Sequence, residues 1–151
     1  MSDPVYIPLR LHSEYSITDG TVRLKALIKK ALAEGLPALG ISDLMNGFGL
    51  VKFYKACRGA GINPVIGADV RIENPDRPDT PFRALLLVKN HNGYLRLSEL
   101  LTRAFTCQEE GRLPQLKQAW LGEGGNEGLI CLSGAHYGEV GLNLMNGHEA
   151  A

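Results

Sequence analysis

His12, Asp43 and Asp69 are the residues whose types and placing could do chemistry. Each ends, or lies within, an apolar strand-like run: His12 and Ser13 after "VYIPLRL", Asp43 after "ALGIS", Asp69 inside "INPVIGADVRI". An imidazole and two carboxylates on three successive strand ends suit a divalent metal or a phosphate site. A structural reading fits the same positions, with each Asp capping the loop or helix that follows. Ser13 and Ser16 near His12 invite a nucleophile-base pair, but no third group is placed to orient the base. Hydrogen bonding at a loop or helix start accounts for both serines.

Other candidates carry less. "NGFG" and "RGAG" match neither glycine-rich phosphate-binding spacing. His91 and His148 lie in polar stretches and receive no role. Tyr54, Tyr94 and Trp120 read as core or edge residues, not base-stacking platforms, because no basic run interleaves with them.

The elements that must position these residues alternate in a regular order. Val5 to Leu11 reads as a strand, with Pro8 tolerated near an edge or strand start. Leu24, Leu27, Ile28, Ala31 and Leu32 line one helix face, which Gly35 and Pro37 end. "ALGIS" is a short strand. Leu50, Val51, Tyr54 and Cys57 stripe a second helix, and "INPVIGADVRI" is a third strand. "FRALLLVK", nearly all apolar, reads as a strand buried on both faces. Tyr94, Leu97, Leu100, Leu101, Ala104 and Phe105 mark a long helix, "GLICLS" is a fifth strand, and a short helix begins near Glu139. Alternation of this kind predicts parallel β/α architecture, doubly wound or barrel. A closed barrel takes about eight units and ~250 residues, so a barrel built from these 151 residues stops before closure. Such an opening would leave an unpaired strand edge and invite association.

Bulk properties narrow the class. Hydrophobic residues make up 44% and charged residues 21%, an ordinary globular composition for one domain with a core. Sixteen Lys and Arg balance sixteen Asp and Glu, so the chain as a whole is no strongly basic nucleic-acid binder, although a local basic patch remains compatible with that balance. Cys57, Cys107 and Cys131 are odd in number and far apart, which predicts reduced, mostly buried thiols in a cytoplasmic protein. The N-terminus lacks a signal-peptide pattern. No apolar run reaches the ~20 residues of a membrane helix.

Several stretches, in order, resemble a known family: "LRLHSEYSITDG", "ALGISDLMNGFGLVKFYKACRGAGINPVIGADV", "LLLVKNHNGYLRLSELLTRAF" and "EGLICLSGAHYGEVG". They are similar to the polymerase and histidinol phosphatase (PHP) domain found at the N-terminus of bacterial replicative DNA polymerase III alpha subunits. The resemblance runs from about Tyr6 to Gly141. It implies an incomplete, distorted β/α barrel: residues 1–151 as most of one PHP domain, with the polymerase palm, fingers and thumb absent. In the family a cluster of up to three divalent metals sits at the barrel mouth.

Against the family pattern, the first strand's His-x-His reads Arg10-Leu11-His12, so only His12 survives. The Asp-His pair after the second strand reads Asp43-Leu44. The Glu after the third strand's Gly reads Asp69, and the His that often opens the fourth strand aligns with Arg83. The Cys that often follows Ser-Gly is Ala135, with His136 beside it. His12, Asp43 and Asp69 are thus kept against four losses. Guanidinium groups, always charged, stand where cations would sit. The resemblance therefore implies a degenerate pocket at His12, Asp43 and Asp69, with Arg10 and Arg83 replacing the metals by pairing with Asp43 or Asp69 and no catalytic residue. His12 is then a hydrogen-bonded imidazole rather than a ligand.

By the same resemblance this region has no cofactor of its own, and Mg²⁺ serves the parent DNA polymerase in DNA replication. Its partners would be the remainder of the alpha subunit, the proofreading exonuclease subunit and, through the polymerase, DNA. The alternative is an active metal-dependent phosphoesterase, a pyrophosphatase or proofreading nuclease, using Mn²⁺ or Zn²⁺.

Overall fold

The computed structural model describes residues 6–108 and 111–147. Val5, where the first strand was expected to begin, and His148 lie outside them. The fold is mixed α/β, with a four-stranded sheet in the order β1-β2-β3-β4. The chain divides within β2 into two compact units, Met1–Ala68 and Asp69–Ala151, described in turn.

In the first unit, helix α1 (Leu24–Ala33) leads to strand β1 (Ala38–Ile41), helix α2 (Leu50–Gly59) and the start of strand β2 (Asn63–Ile72). Both helices end alike. Gly35 and Gly61 sit at φ 66° and 74°. After α1, Gly35 N–H donates to Leu32 O and Leu36 N–H to Ala31 O; after α2, Gly61 donates to Arg58 O and Ile62 to Cys57 O. This paired 5→2 and 6→1 bonding satisfies the last carbonyls and turns an apolar residue inward to start the next strand. Leu24, Ile28 and Ala31 of α1, Leu39 and Ile41 of β1, and Phe53 and Cys57 of α2 form one core with Ile62. Thus α2 buries Phe53 and Cys57, while Val51 and Tyr54 of the expected stripe face solvent. The apolar face was offset because the helix begins only at Leu50 and its neighbours Phe53 and Cys57 follow i, i+4 spacing.

β1 and β2 pair in parallel, Ala38 opposite Asn63 through Ile41 opposite Ile66. The strand expected from Val5 to Leu11 is not one over its described part. Residues 6–12 are without regular structure and meet β1 through Gly40 N–H to Pro8 O (2.8 Å) and Ser42 N–H to Leu11 O (2.9 Å). Pro8 has no N–H to return, and Leu11 N–H goes to the Ser42 hydroxyl instead of a carbonyl (2.9 Å). The ladder fails for lack of donors on one side.

In the second unit, β2 is followed by β3 (Phe82–Val88), α3 (His91–Thr106), α4 (Gln118–Gly122), β4 (Leu129–Ser133) and α5 (Glu139–Met145). β3 and β4 run antiparallel, Ala84 opposite Ser133 through Val88 opposite Leu129, which corrects the expected all-parallel order. The cause is a double crossing. α3 leaves the end of β3 at Asn90, whose side chain caps it by accepting from Gly93 N–H (3.1 Å). The segment after α3 then returns to that end, where Lys89 N–H donates to Gly128 O (2.8 Å). A chain re-entering where β3 left has only the reverse direction open to it. Gly93 and Gly128 allow the meeting: a Cβ on Gly93 would lie 1.8 Å from Gly128 O.

The return is fastened to α3 by arginines. Arg96, buried, donates to Trp120 O, to Glu99 (2.9 Å) and to Asn126 Oδ1 (3.3 Å). Arg103 lies 4.4 Å over the Trp120 ring and grips Glu123 with both terminal nitrogens. Trp120 is accordingly core. Four strands stand among the described residues where five were expected. β4 is largely exposed, and with it Cys131; Cys107 is exposed too, so only Cys57 is a buried thiol. No helix among the described residues is long and apolar enough to cross a membrane.

Candidate functional site

Asp43 lies two residues beyond β1 and is 2% exposed. Its carboxylate accepts from the Ser13 backbone N–H at Oδ1 (2.6 Å) and from the Ser13 hydroxyl at Oδ2 (2.9 Å). The same hydroxyl accepts from Tyr15 N–H (3.1 Å), capping the 3₁₀ turn Glu14–Ser16. Burial pushes the Asp43 carboxyl above the ordinary carboxylate range, against the two Ser13 hydrogen bonds and the nearby His12, which pull it down. Asp43 thus ties the loop after the first extended segment to the end of β1. It serves as an anchor for the earlier loop at Ser13, not as the cap of the loop or helix that follows it.

His12 turns elsewhere. Its Nδ1 lies 2.9 Å from Asp19 Oδ2. Asp19 Oδ1 accepts from the Ser16 hydroxyl (2.6 Å), whose oxygen accepts from Leu44 N–H (2.8 Å). Asn46 extends the network by donating to Tyr15 O and Leu44 O, both at 3.1 Å. Ile17 and Met45 hold φ of 65° and 56° within it, conformations that cost non-glycine residues about 1–3 kcal/mol each. Each serine hydroxyl donates to a carboxylate, which leaves no Ser-His pair. Sequence reasoning missed Asp19 and Asn46 as members. The "TDG" signal was visible, but it reads as a turn until the fold brings Asp19 back to His12.

In the second unit Asp69 lies inside β2 and is 1% exposed. Arg83, second residue of β3, donates from Nε to Oδ1 and from Nη2 to Oδ2, both at 3.0 Å. This is a bidentate fork, the strongest geometry open to such a pair. Arg10 is exposed in the extended segment ahead of His12. Ala135 and His136 lie in an exposed 3₁₀ turn, with the His136 ring 3.9 Å from that of Tyr137.

The two carboxylates kept from the family pattern are each already engaged by donors of the protein. Both Asp69 oxygens face a guanidinium, both Asp43 oxygens face donors from Ser13, and the Nδ1 of His12 faces Asp19. Among the described residues no three His, Cys, Asp or Glu side chains are grouped so as to hold a metal. Metal-activated water needs lone pairs directed at an open cation position, and the carboxylate lone pairs of Asp43 and Asp69 are engaged by N–H and O–H groups instead.

Fold and motifs together define the class: the chain belongs to the PHP family, whose domain matches residues 8–151. The relatives are more specific. DNA polymerase III subunit alpha of Neisseria meningitidis is 66% identical over the whole chain, and that of Escherichia coli K12 is 43% identical over 99% of it. The chain spans only 13% of the length of either relative. Two solved structures share the fold. A candidate metal-dependent phosphoesterase from Bifidobacterium adolescentis matches with TM-score 0.50 at 18% identity, over 66% of this chain and 33% of its own. An amidohydrolase from Chromobacterium violaceum, with bound sulfate and no metal, matches with TM-score 0.51 at 21% identity, over 65% and 32%.

Proposed function

We propose that this chain serves bacterial DNA replication as the PHP region of a DNA polymerase III alpha subunit, a scaffold in which arginine has taken over the charge balance of a lost metal site. Its first partner is the rest of the alpha subunit, where Mg²⁺-dependent nucleotide addition to DNA would reside; the proofreading exonuclease subunit is a second. The observation that carries the reading is the Arg83–Asp69 fork. A guanidinium neutralises a buried carboxylate and repels a divalent ion from the same oxygens. Arg10 is assigned the same part, pairing with Asp43 or Asp69, on the strength of the family alignment.

The first test is elemental analysis of the purified chain after exposure to Mn²⁺ and Zn²⁺ and removal of excess. Near-zero occupancy supports the scaffold. Metal at one or more per chain, lost in His12→Ala and Asp43→Ala, overturns it and favours a phosphoesterase. Co-purification with the exonuclease subunit tests the docking role, and failure of that subunit to bind the chain or the whole alpha subunit would remove it.

A further inference from the structure

The balance of sixteen cations against sixteen anions conceals a local imbalance. From Thr21 to Ile62 the sequence holds seven Lys and Arg but only Glu34 and Asp43 as anions, and Asp43 is buried. From Leu44 to Ile62 there is no acidic residue. That stretch contains α2, whose inner face is fixed by Phe53 and Cys57. Its outer face is Val51, Tyr54, Lys55 and Arg58, spaced i, i+3, i+4 and i+7 over about 10 Å of helix, and all four are exposed. Phe48, just ahead of the helix, is 68% exposed and Tyr54 45%.

Lys52 borders this face and is held in place: its Nζ donates to Tyr15 Oη (2.9 Å) and lies 5.4 Å from that ring's centre. Among the described residues Lys55 and Arg58 have no carboxylate partner. Lys25 and Lys29 of α1, which shares the core of α2, are exposed as well. Tyr54 thereby shares the outer face of the helix with Lys55 and Arg58, a grouping the linear sequence did not suggest.

We propose that the outer face of α2, with Tyr54 beside Lys55 and Arg58, Lys52 at its border and Phe48 just ahead of the helix, binds single-stranded nucleic acid. Cations without anions select a polyanion, and an acidic peptide would satisfy them as well as a phosphodiester backbone does. The rings decide between the two. A ring exposed beside a cation offers a face on which an unpaired base of any identity stacks, whereas an acidic peptide gains little from it. The surface lies wholly in the first unit and does not depend on the scaffold reading.

The test is fluorescence anisotropy of the intact chain with a fluorescein-labelled oligothymidylate, from about 50 to 200 mM salt. Three phosphate contacts predict a slope of log K against log salt of about −2 for a single strand. Lys55→Glu with Arg58→Glu should weaken binding at least tenfold and flatten the slope. Phe48→Ala with Tyr54→Ala should weaken it about tenfold and leave the slope unchanged, because stacking releases no counterions. Lys89→Glu, exposed in the other unit, should change nothing. All these positions are exposed, and circular dichroism checks that each variant is folded. Absence of binding at the lowest salt, indifference to the α2 variants, or equal competition by polyglutamate would each overturn the proposal.

Discussion

Removing Arg83 should expose how much of the fold now depends on an arginine. In Arg83→Met the apolar part of the side chain is kept and Asp69 loses its guanidinium partner while staying inside β2 at 1% exposure. Breaking a buried pair from one side costs about 3–5 kcal/mol. Arg83 is 21% exposed, so some water reaches the pair and the lower end applies, about 3 kcal/mol. For a chain of this size that is a fall in Tm of about 6 to 12 °C. Asp69→Asn should cost less, about 1–2 kcal/mol, since the amide oxygen still accepts one N–H and the guanidinium can turn to water. Arg83→Met with Asp69→Leu should return to within about 1 kcal/mol of the parent, because no charge is left buried. Urea unfolding of these four proteins and of Asp69→Leu alone closes the Arg83→Met, Asp69→Leu cycle. A cost under about 1 kcal/mol for Arg83→Met, or a double variant no better than that single one, would refute the view that the pair carries the old site's charge.

The remaining expectations concern the other anchors. Asp43→Ala should lose about 2 kcal/mol by stranding the buried Ser13 N–H, read by urea unfolding, whereas Asp43→Asn keeps an acceptor there. Because the folded carboxyl titrates above its ordinary range, the parent takes up this proton more readily folded than unfolded, and the stability linked to it is lost as pH rises through the folded pKa. The stability of Asp43→Asn relative to the parent should therefore be highest near neutral pH and fall as the solution is acidified. Gly93→Ala should cost about 1–3 kcal/mol by overpacking the start of α3 against Gly128 O, and a variant that melts with the parent would contradict the described approach. A thiol reagent should label exposed Cys107 fastest, Cys131 more slowly because burial raises its thiol, and Cys57 slowest, since it is buried with its thiol pushed up to about 11.

What the sequence made legible follows from how local each signal is. Helix ends were readable because Gly35 and Gly61 do their work within a few residues of themselves. Strand runs such as "FRALLLV" were readable because apolar content marks burial on both faces. Direction was not: β4 runs against β3 because a return segment, fastened by Arg96, Arg103 and Trp120, brings the chain back to Gly128. No residue within β4 encodes that. The same division runs through the site. Asp43 and Asp69 stood out by type and by place on their strands, and alignment to a family pattern added Arg83 and raised the question of what an arginine does beside a carboxylate. Their partners were hidden wherever contact crosses a turn, as Asp19 with His12, or wherever a helix must be rotated about its axis before its outer face is known, as with Tyr54, Lys55 and Arg58. Side-chain chemistry is written in single residues, but which chemistry meets which is decided by packing, and Phe53 filling the core is what turns the cations of α2 outward.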